Sequence, residues 1–282
     1  MAEIRLSKLL AHRGIASRRE AEGLIRDGRV TVNGERVTRQ GLLVDPETDA
    51  VRFDGKPLPA KPAHVYYLLY KPRGYLTTRK DPEGRKSVME LLEGVSEKVE
   101  PVGRLDFDTE GALLFTNDGE LAHKLTHPSN MIPKRYIAKV WKSPNERTLA
   151  RIQSGIHLDD GKTSPCKARV IDETPGGNAR LEVTVTEGRN RLIRRLLEAA
   201  GHPVSKLRRE SFATITIRDM ERGQLRRLTP EEIRRIKDIA EGRSPKSAGR
   251  VRSKKGFAKA KPKNPRGRSQ KPRKNVARPK RR

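Results

Sequence analysis

The sequence predicts an α+β fold in three parts: residues 1–59, a small helix–helix–hairpin unit; 60–241, a larger mixed, mainly antiparallel sheet flanked by helices; and 242–282, a disordered basic tail. Three observations carry that reading. Strand-like and helix-like segments occur without strict alternation, which favours an α+β sheet over a doubly wound one. Pro57, Pro59 and Pro62, with Lys56 and Lys61 among them, mark a stiff linker near residue 60. And the positive charge is concentrated at one end. A chain of 282 residues suits two folded units of the usual size, about 100–200 residues each.

In the first unit, Ile4, Leu6, Leu9 and Leu10 place apolar residues on one face of a short helix that Gly14 ends. Ser17-Arg18-Arg19-Glu20 has the capping-box pattern, opening a second helix whose inner face holds Ala21, Leu24 and Ile25. Val30-Thr31-Val32 and Glu35-Arg36-Val37 flank Asn33-Gly34, a strong hairpin signal, and Ala50 to Phe53 forms a last strand. Arg18, Arg19, Arg26, Arg29 and Arg36 cluster on these elements as a candidate phosphate-binding face; an ordinary solvated basic face is the alternative.

In the second unit, Val65 to Tyr70 and Ala112 to Thr116 are continuous apolar runs of strand character, the latter stopped by Asn117-Asp118-Gly119. Tyr136–Trp141 and Leu181–Val185 alternate as half-buried strands do. Ser143-Pro144-Asn145-Glu146 and Thr229-Pro230-Glu231-Glu232 both carry a cap, an early proline and a box glutamate. Between Asn190 and Ala200, Leu192, Ile193, Leu196 and Leu197 form one helix face; Arg191, Arg194 and Arg195 lie opposite.

The charge narrows the partners. Lys plus Arg exceed Asp plus Glu by 63 − 35 = 28, and 18 of that excess lies in Arg243–Arg282, which has no acidic residue. So basic and proline-broken a segment cannot bury enough apolar surface to fold, and it reads as an electrostatic arm for RNA phosphates. No apolar stretch approaches the roughly 18 residues of a membrane span, and Met1 to Leu10 lacks the pattern of a secretory signal. A cytoplasmic, nucleic-acid-binding protein is expected, free of membrane association. The single cysteine, Cys166, excludes an internal disulfide framework and is read as a packing residue.

Catalytic motifs are few. His123 and His127 have the i, i+4 spacing of zinc ligands, but no glutamate follows His123 and no third ligand is apparent, so no metal is expected. No phosphate loop, dinucleotide fingerprint or nucleophile elbow occurs. The most pointed segment is Gly103-Arg104-Leu105-Asp106-Phe107-Asp108-Thr109-Glu110-Gly111. A carboxylate beside an arginine in a glycine-bounded turn, ahead of a buried strand, can be an exposed anion at a sheet edge, fit to be a base or nucleophile. From the residues alone, a loop cap or ion-pair partner is the commoner role for such an aspartate.

"LSKLLAHRGIASRREAEGLIRDGRVTVNGERV" resembles the RNA-binding module named after a small-subunit ribosomal protein, which docks on structured RNA through phosphates and shape. "VGRLDFDTEGALLFTNDG" resembles the signature of the RsuA/RluB-type rRNA pseudouridine synthases. "LLYKPRGYLTT", "HPSNMIPKRYIAKV" and "VTEGRNRLIRRLLEAAGHPVSKLRRESFATITI" resemble that family's other motifs, in its order. The similarity runs from about residue 3 to residue 240, and "RKDPEGRKSVMELL" with the basic tail points to the large-subunit branch.

The resemblance implies a role for each matching position. Asp106 is the expected catalytic aspartate, Tyr136 stacks on the target base, and Arg194 pairs with Asp106. Leu69 and Ile193 line an apolar floor; Lys71, Pro72 and Gly74 shape a supporting turn; Arg104, Arg189 and Arg191 contact RNA. Leu192 departs from the family's common glutamine, and Glu110 and Ala112 from its commoner small and aliphatic choices. The reaction would isomerise uridine to pseudouridine with no cofactor, on ribosomal RNA or an assembly intermediate, by a monomer. Two other classes stay open from sequence: a non-catalytic ribosome-assembly protein on this scaffold, and a nuclease or glycosidase using Asp106 and Asp108 as paired acids.

Overall fold

The structure, a computed structural model, describes residues 3–79 and 81–243, so the tail expected to be disordered lies, from residue 244, outside the described residues. The chain opens with two helices, α1 (Leu6–His12) and α2 (Arg18–Arg26), separated by a turn in which Gly14 takes φ +76°. The capping box forms as expected: the Ser17 hydroxyl accepts the Glu20 N–H, and the Glu20 carboxylate accepts the Ser17 N–H at 2.8 Å. Strands β1 (Val30–Val32) and β2 (Glu35–Val37) make a hairpin through Asn33 and Gly34, at φ +53° and +89°, the left-handed pair a two-residue turn requires. Strand β3 (Val51–Phe53) pairs with β1 on its other side, and β4 (Lys56–Pro57) pairs with β3. Leu6, Leu9, Leu10, Ala21, Ile25, Val30 and Val51 close a core between helices and sheet. Each of the Leu, Ile and Val side chains contributes on the order of 1.5–3 kcal/mol by leaving water. Ile4 departs from the expected helix; with Arg5 it pairs in a short strand against Leu43–Val44. Lys8 Nζ meets Glu120 at 3.0 Å, and Lys98 Nζ donates to the Gly14 carbonyl at 2.8 Å, so α1 and its turn rest against the elements that follow.

The larger sheet is mixed and mainly antiparallel. Its strands are β5 (Tyr66–Lys71), β6 (Glu100–Val102), β7 (Thr109–Thr116), β8 (Lys134–Val140), β9 (Lys167–Glu173), β10 (Ala179–Val185), β11 (Val204–Phe212), β12 (Ile215–Thr216) and β13 (Leu225–Arg227). The order is β9-β10-β8-β11-β7-β5-β13, with β6 against β7 and β12 against β11. Among these pairings only β11 with β7 is parallel, and it joins the two antiparallel halves. The continuous apolar run of β5 is explained by burial on both faces. Tyr66, Leu68 and Tyr70 enter one core with Ala112 and Leu114; Tyr67 and Leu69 enter another with Leu113 and Phe115.

Helices α3 (Gly119–Thr126) and α6 (Pro230–Ala240) cover the first core, through Leu121, Leu125, Ile236 and Ala240. Helices α4 (Glu146–Ser154) and α5 (Leu192–Ala199) pack on the other half of the sheet. Thr229 caps α6 with the expected box. The cap of α4 is two residues later than expected: Asn145 accepts the Thr148 N–H at 2.9 Å, and Ser143 is drawn away to donate to Glu173 at 2.6 Å. Among the described residues no helix is long and apolar enough to cross a membrane.

Candidate active site

The site sits where the parallel pair joins the sheet halves. One cross-strand row runs Lys71, Gly111, Arg209, Tyr136, Val183 across β5, β7, β11, β8 and β10. Residues directly opposite share a face, so Lys71, Arg209 and Tyr136 project to the same side. Gly111 makes the close approach possible. At φ +125°, a Cβ there would stand 2.2 Å from the Arg209 carbonyl oxygen. A bulge lies between Arg135 and Tyr136 along the β8–β11 pair, the kind of local kink that re-aims side chains.

The loop from Arg104 to Asp108 enters β7 and is held from below by its backbone. Lys71, fully buried, donates from Nζ to the carbonyls of Asp106 at 3.1 Å, Thr109 at 2.9 Å and Pro72 at 3.1 Å. Burial pushes its pKa down to about 8. Thr77 Oγ1 donates to the Leu105 carbonyl at 2.8 Å, and the Gly74 N–H donates to that of Phe107 at 2.8 Å, with Gly74 at φ +82°. The backbone is thereby fixed while the Asp106 and Asp108 side chains stay partly open, 30 % and 33 % exposed. Phe107 between them is also exposed.

Asp106, Tyr136, Arg104, Arg189, Arg191 and Ile193 line one cleft of about 310 Å³, within the roughly 300–1,000 Å³ of small-molecule sites. Val185, Leu192 and Leu207 add apolar wall; Thr109, Lys134 and Arg209 add polar groups. Lys71, Pro72 and Gly74 support the loop from behind. Leu69 does not line the cleft itself: its side chain lies one layer behind it, in a core with Leu105 and Leu113 against which Tyr136 packs.

The arginines differ from expectation. Arg194 does not pair with Asp106. Its Nη2 is 3.0 Å from the Asp108 carboxylate and donates to the Asp108 carbonyl at 3.2 Å, while Nη1 donates to that of Val204 at 3.2 Å. Tied to two backbone carbonyls, the guanidinium is fixed at the end of the loop, two residues past Asp106. Arg191 spans the two acids, 3.3 Å from Asp108 and 4.0 Å from Asp106. Arg189, expected to contact RNA, is held by protein acceptors. Its Nε donates to Glu187 at 3.0 Å, and its terminal nitrogens donate to the Asp160 carboxylate at 2.8 Å and to the carbonyls of Gly161 and Lys162. Arg104 is exposed on the cleft rim and has neither hydrogen bond nor ion pair among the described residues. On α2, Arg18, Arg19 and Arg26 are exposed. Arg29 is instead occupied, with Nε on Asp54 at 2.9 Å and its guanidinium 4.8 Å from the Phe53 ring centre.

Sequence reasoning missed Lys134 and Arg209 and undervalued Asp108. Lys134 Nζ donates to the carbonyls of Ile132 at 3.0 Å and Thr186 at 2.9 Å, and burial pushes its pKa down to about 8. Arg209 is 2 % exposed, with Nε donating to the Ala112 carbonyl at 2.7 Å. The alternating pattern of β11 marks which residues point inward, but gave no reason to place a cation there. Among the described residues no group of three or more His, Cys, Asp or Glu could hold a metal. His127 Nδ1 instead lies 2.7 Å from Ser129 Oγ. Burial pushes the Cys166 thiol up to about 11, and its Sγ bonds the Ile152 carbonyl.

Comparison with known proteins identifies the family. The profile of the RNA pseudouridylate synthase family matches residues 65–199, and that of the S4 domain matches residues 4–49. Ribosomal large subunit pseudouridine synthase B of Bacillus subtilis is 43 % identical over 238 residues, 84 % of this chain and 97 % of the relative. The chain belongs to the RNA pseudouridine synthase family. An uncharacterized RNA pseudouridine synthase of Aquifex aeolicus is 44 % identical over 84 % of this chain and 94 % of its own. A solved pseudouridylate synthase superposes with a TM-score of 0.60 at 28 % identity, covering 83 % of this chain and 99 % of that one.

Proposed function

We propose that this pseudouridine synthase modifies a specific uridine of large-subunit ribosomal RNA in the cytoplasm, as a monomer, with Asp106 as its catalytic carboxylate. The observation that carries the assignment is the shared cleft: Asp106 on a loop anchored through its backbone, and Tyr136 and Ile193 lining the same space. The reaction breaks the C1′–N1 bond, turns the uracil, joins C1′ to C5, moves the C5 proton off carbon and leaves a proton on N1. It is an isomerisation, so its balance requires no redox partner. Tyr136 supplies the face on which the base turns. Arg191 holds Asp106 from the side, and Arg194 acts at one remove, by fixing Asp108.

The base must leave its stack to reach Asp106, at a cost of a few kcal/mol. Contacts remote from the cleft offset that cost. Residues 1–59 serve this purpose as the RNA-binding module, through exposed Arg18, Arg19 and Arg26, and residues 60–241 form the catalytic domain. Arg104 meets phosphates at the rim. Incubating the protein with large- and small-subunit rRNA transcripts and mapping pseudouridine chemically tests the proposal. Wild type is expected to modify one large-subunit position and Asp106→Asn none. Identical, unmodified RNA from both would leave an RNA-binding protein without this chemistry.

A further inference from the structure

Arg209 is a buried cation without an adequate partner. Arginine stays protonated in proteins, and burying an ion costs several kcal/mol unless its donors are met. The Arg209 side chain is 2 % exposed, yet among the described residues it has no ion-pair partner. Nε bonds the Ala112 carbonyl and the Phe212 ring lies 5.0 Å from the guanidinium carbon, but Nη2 is buried with no acceptor. The other two buried cations of this region are held by backbone carbonyls. Lys71 donates to three carbonyls and Lys134 to two. Among the described residues Arg209 has the one hydrogen bond to Ala112 for a guanidinium of five N–H donors, and it lines the cleft next to Tyr136 in the strand register.

We infer that Arg209 recognises a carbonyl oxygen of the extruded uracil and is a specificity-determining residue of the site. The reading rests on the function proposed above. The chemistry of the surroundings selects a base over a phosphate. Ile193, Leu192, Val185 and Leu207 wall the same cleft with apolar surface. A flat ring stacked on Tyr136 suits such a wall, and a hydrated phosphate does not. Uracil presents two carbonyl acceptors at its edge. Cytosine replaces one of them, at C4, with an amino donor, which would set donor against donor in a buried site. Sites built around a buried polar contact discriminate strongly, because the mismatched ligand leaves that group unpaired.

The test uses the full chain and the rRNA fragment that wild type modifies, carrying uridine, 2-thiouridine or 4-thiouridine at the target, with turnover followed by tritium release from C5. Sulfur is a poorer acceptor than oxygen. One of the two thio-substitutions is expected to lower wild-type kcat/KM about 10- to 100-fold, the size of a hydrogen bond to a charged group. Arg209→Met should show a comparable loss with uridine and no further loss with that thio-substrate, whereas Arg209→Lys should recover part of the activity. If the two penalties multiply, Arg209 has only a structural role and the inference is overturned. Should Arg209→Met fail to fold, wild type decides alone: indifference to both thio-substitutions overturns the inference. Wild type that releases no tritium from unmodified RNA overturns the underlying function instead.

Discussion

Gly111→Ala tests how the fold builds the site. The residue has φ +125°, a region essentially confined to glycine, which costs another residue about 1–3 kcal/mol. The new Cβ would also lie 2.2 Å from the Arg209 carbonyl oxygen and 2.6 Å from its nitrogen. Those are backbone atoms of the neighbouring strand, so no side-chain rotation relieves the overlap; forced repacking of this kind costs a further 1–3 kcal/mol or so. The sum, about 2–6 kcal/mol, is a large part of a total stability of order 5–15 kcal/mol. Relief would come by parting β7 from β11, which moves Arg209 away from Ala112 and shifts the start of β7, where Asp106 is anchored. Urea denaturation followed by circular dichroism should therefore show a lower midpoint. Activity at low temperature, where the variant is still folded, should fall as well. Gly176→Ala is the control: its φ is not positive and nothing lies within 4 Å of the added carbon. If both variants unfold within about 0.5 kcal/mol of wild type, the tight β7–β11 approach does not organise the site.

Four further outcomes follow from the same geometry. Lys71 ionises near pH 8 when folded and near 10.5 when unfolded, so between those values the unfolded chain holds a proton that the folded chain has released. Stability therefore rises with pH in that window: from pH 8 to 9.5 Lys71 adds about 2 kcal/mol, at roughly 1.4 kcal/mol per pH unit. Urea titrations should show this rise, and Lys71→Met should flatten it; an equal slope in both proteins would contradict the assignment. Asp108→Asn should lower kcat more than it raises KM, because it releases Arg191 and Arg194 without removing a reacting group, and Asp108→Glu should restore part of the rate. Replacing Arg18, Arg19 and Arg26 with Ala should weaken RNA binding and reduce its salt slope by somewhat under one unit per lost phosphate contact. Arg29→Ala should mainly lower the thermal stability of the N-terminal elements, since its guanidinium is held by Asp54 and Phe53.

Local signals were legible wherever short-range chemistry decides. The Ser17 and Thr229 caps, the Asn33-Gly34 turn and the amphipathic face of α5 need only a few neighbouring residues, and each appears where its pattern lies. The Asp106 loop was legible because four motifs occur together in order. Contacts between distant residues were not. Arg209 bonds a carbonyl 97 positions away, and Arg194 meets Asp108 86 positions away. Nothing in the local pattern says which of two acids an arginine on a distant helix will choose. Arg29 and Arg189 misled for a related reason: composition counts charges but cannot tell a guanidinium facing solvent from one already held by protein acceptors.

That distinction bears on how, under the function proposed above, a chain with an excess of 28 positive charges would keep the Asp106 carboxylate available. Under that function, RNA would bring a dense row of phosphates to the rim, and each would compete for the arginines around Asp106. The structure meets that competition with acids and carbonyls of its own. Asp108 and two backbone carbonyls hold Arg194, Asp160 and Glu187 hold Arg189, and Glu110 holds Arg222 at 2.9 Å. Arg104, with no such partner among the described residues, remains available at the rim. Pairing therefore sorts the arginines into two groups. Those that shape the cleft are neutralised locally by protein groups, and those left unpaired are the ones that would exchange water and counterions for phosphate under the proposed function. Net charge brings the polyanion to the surface, but the few internal acids decide which cations it can take.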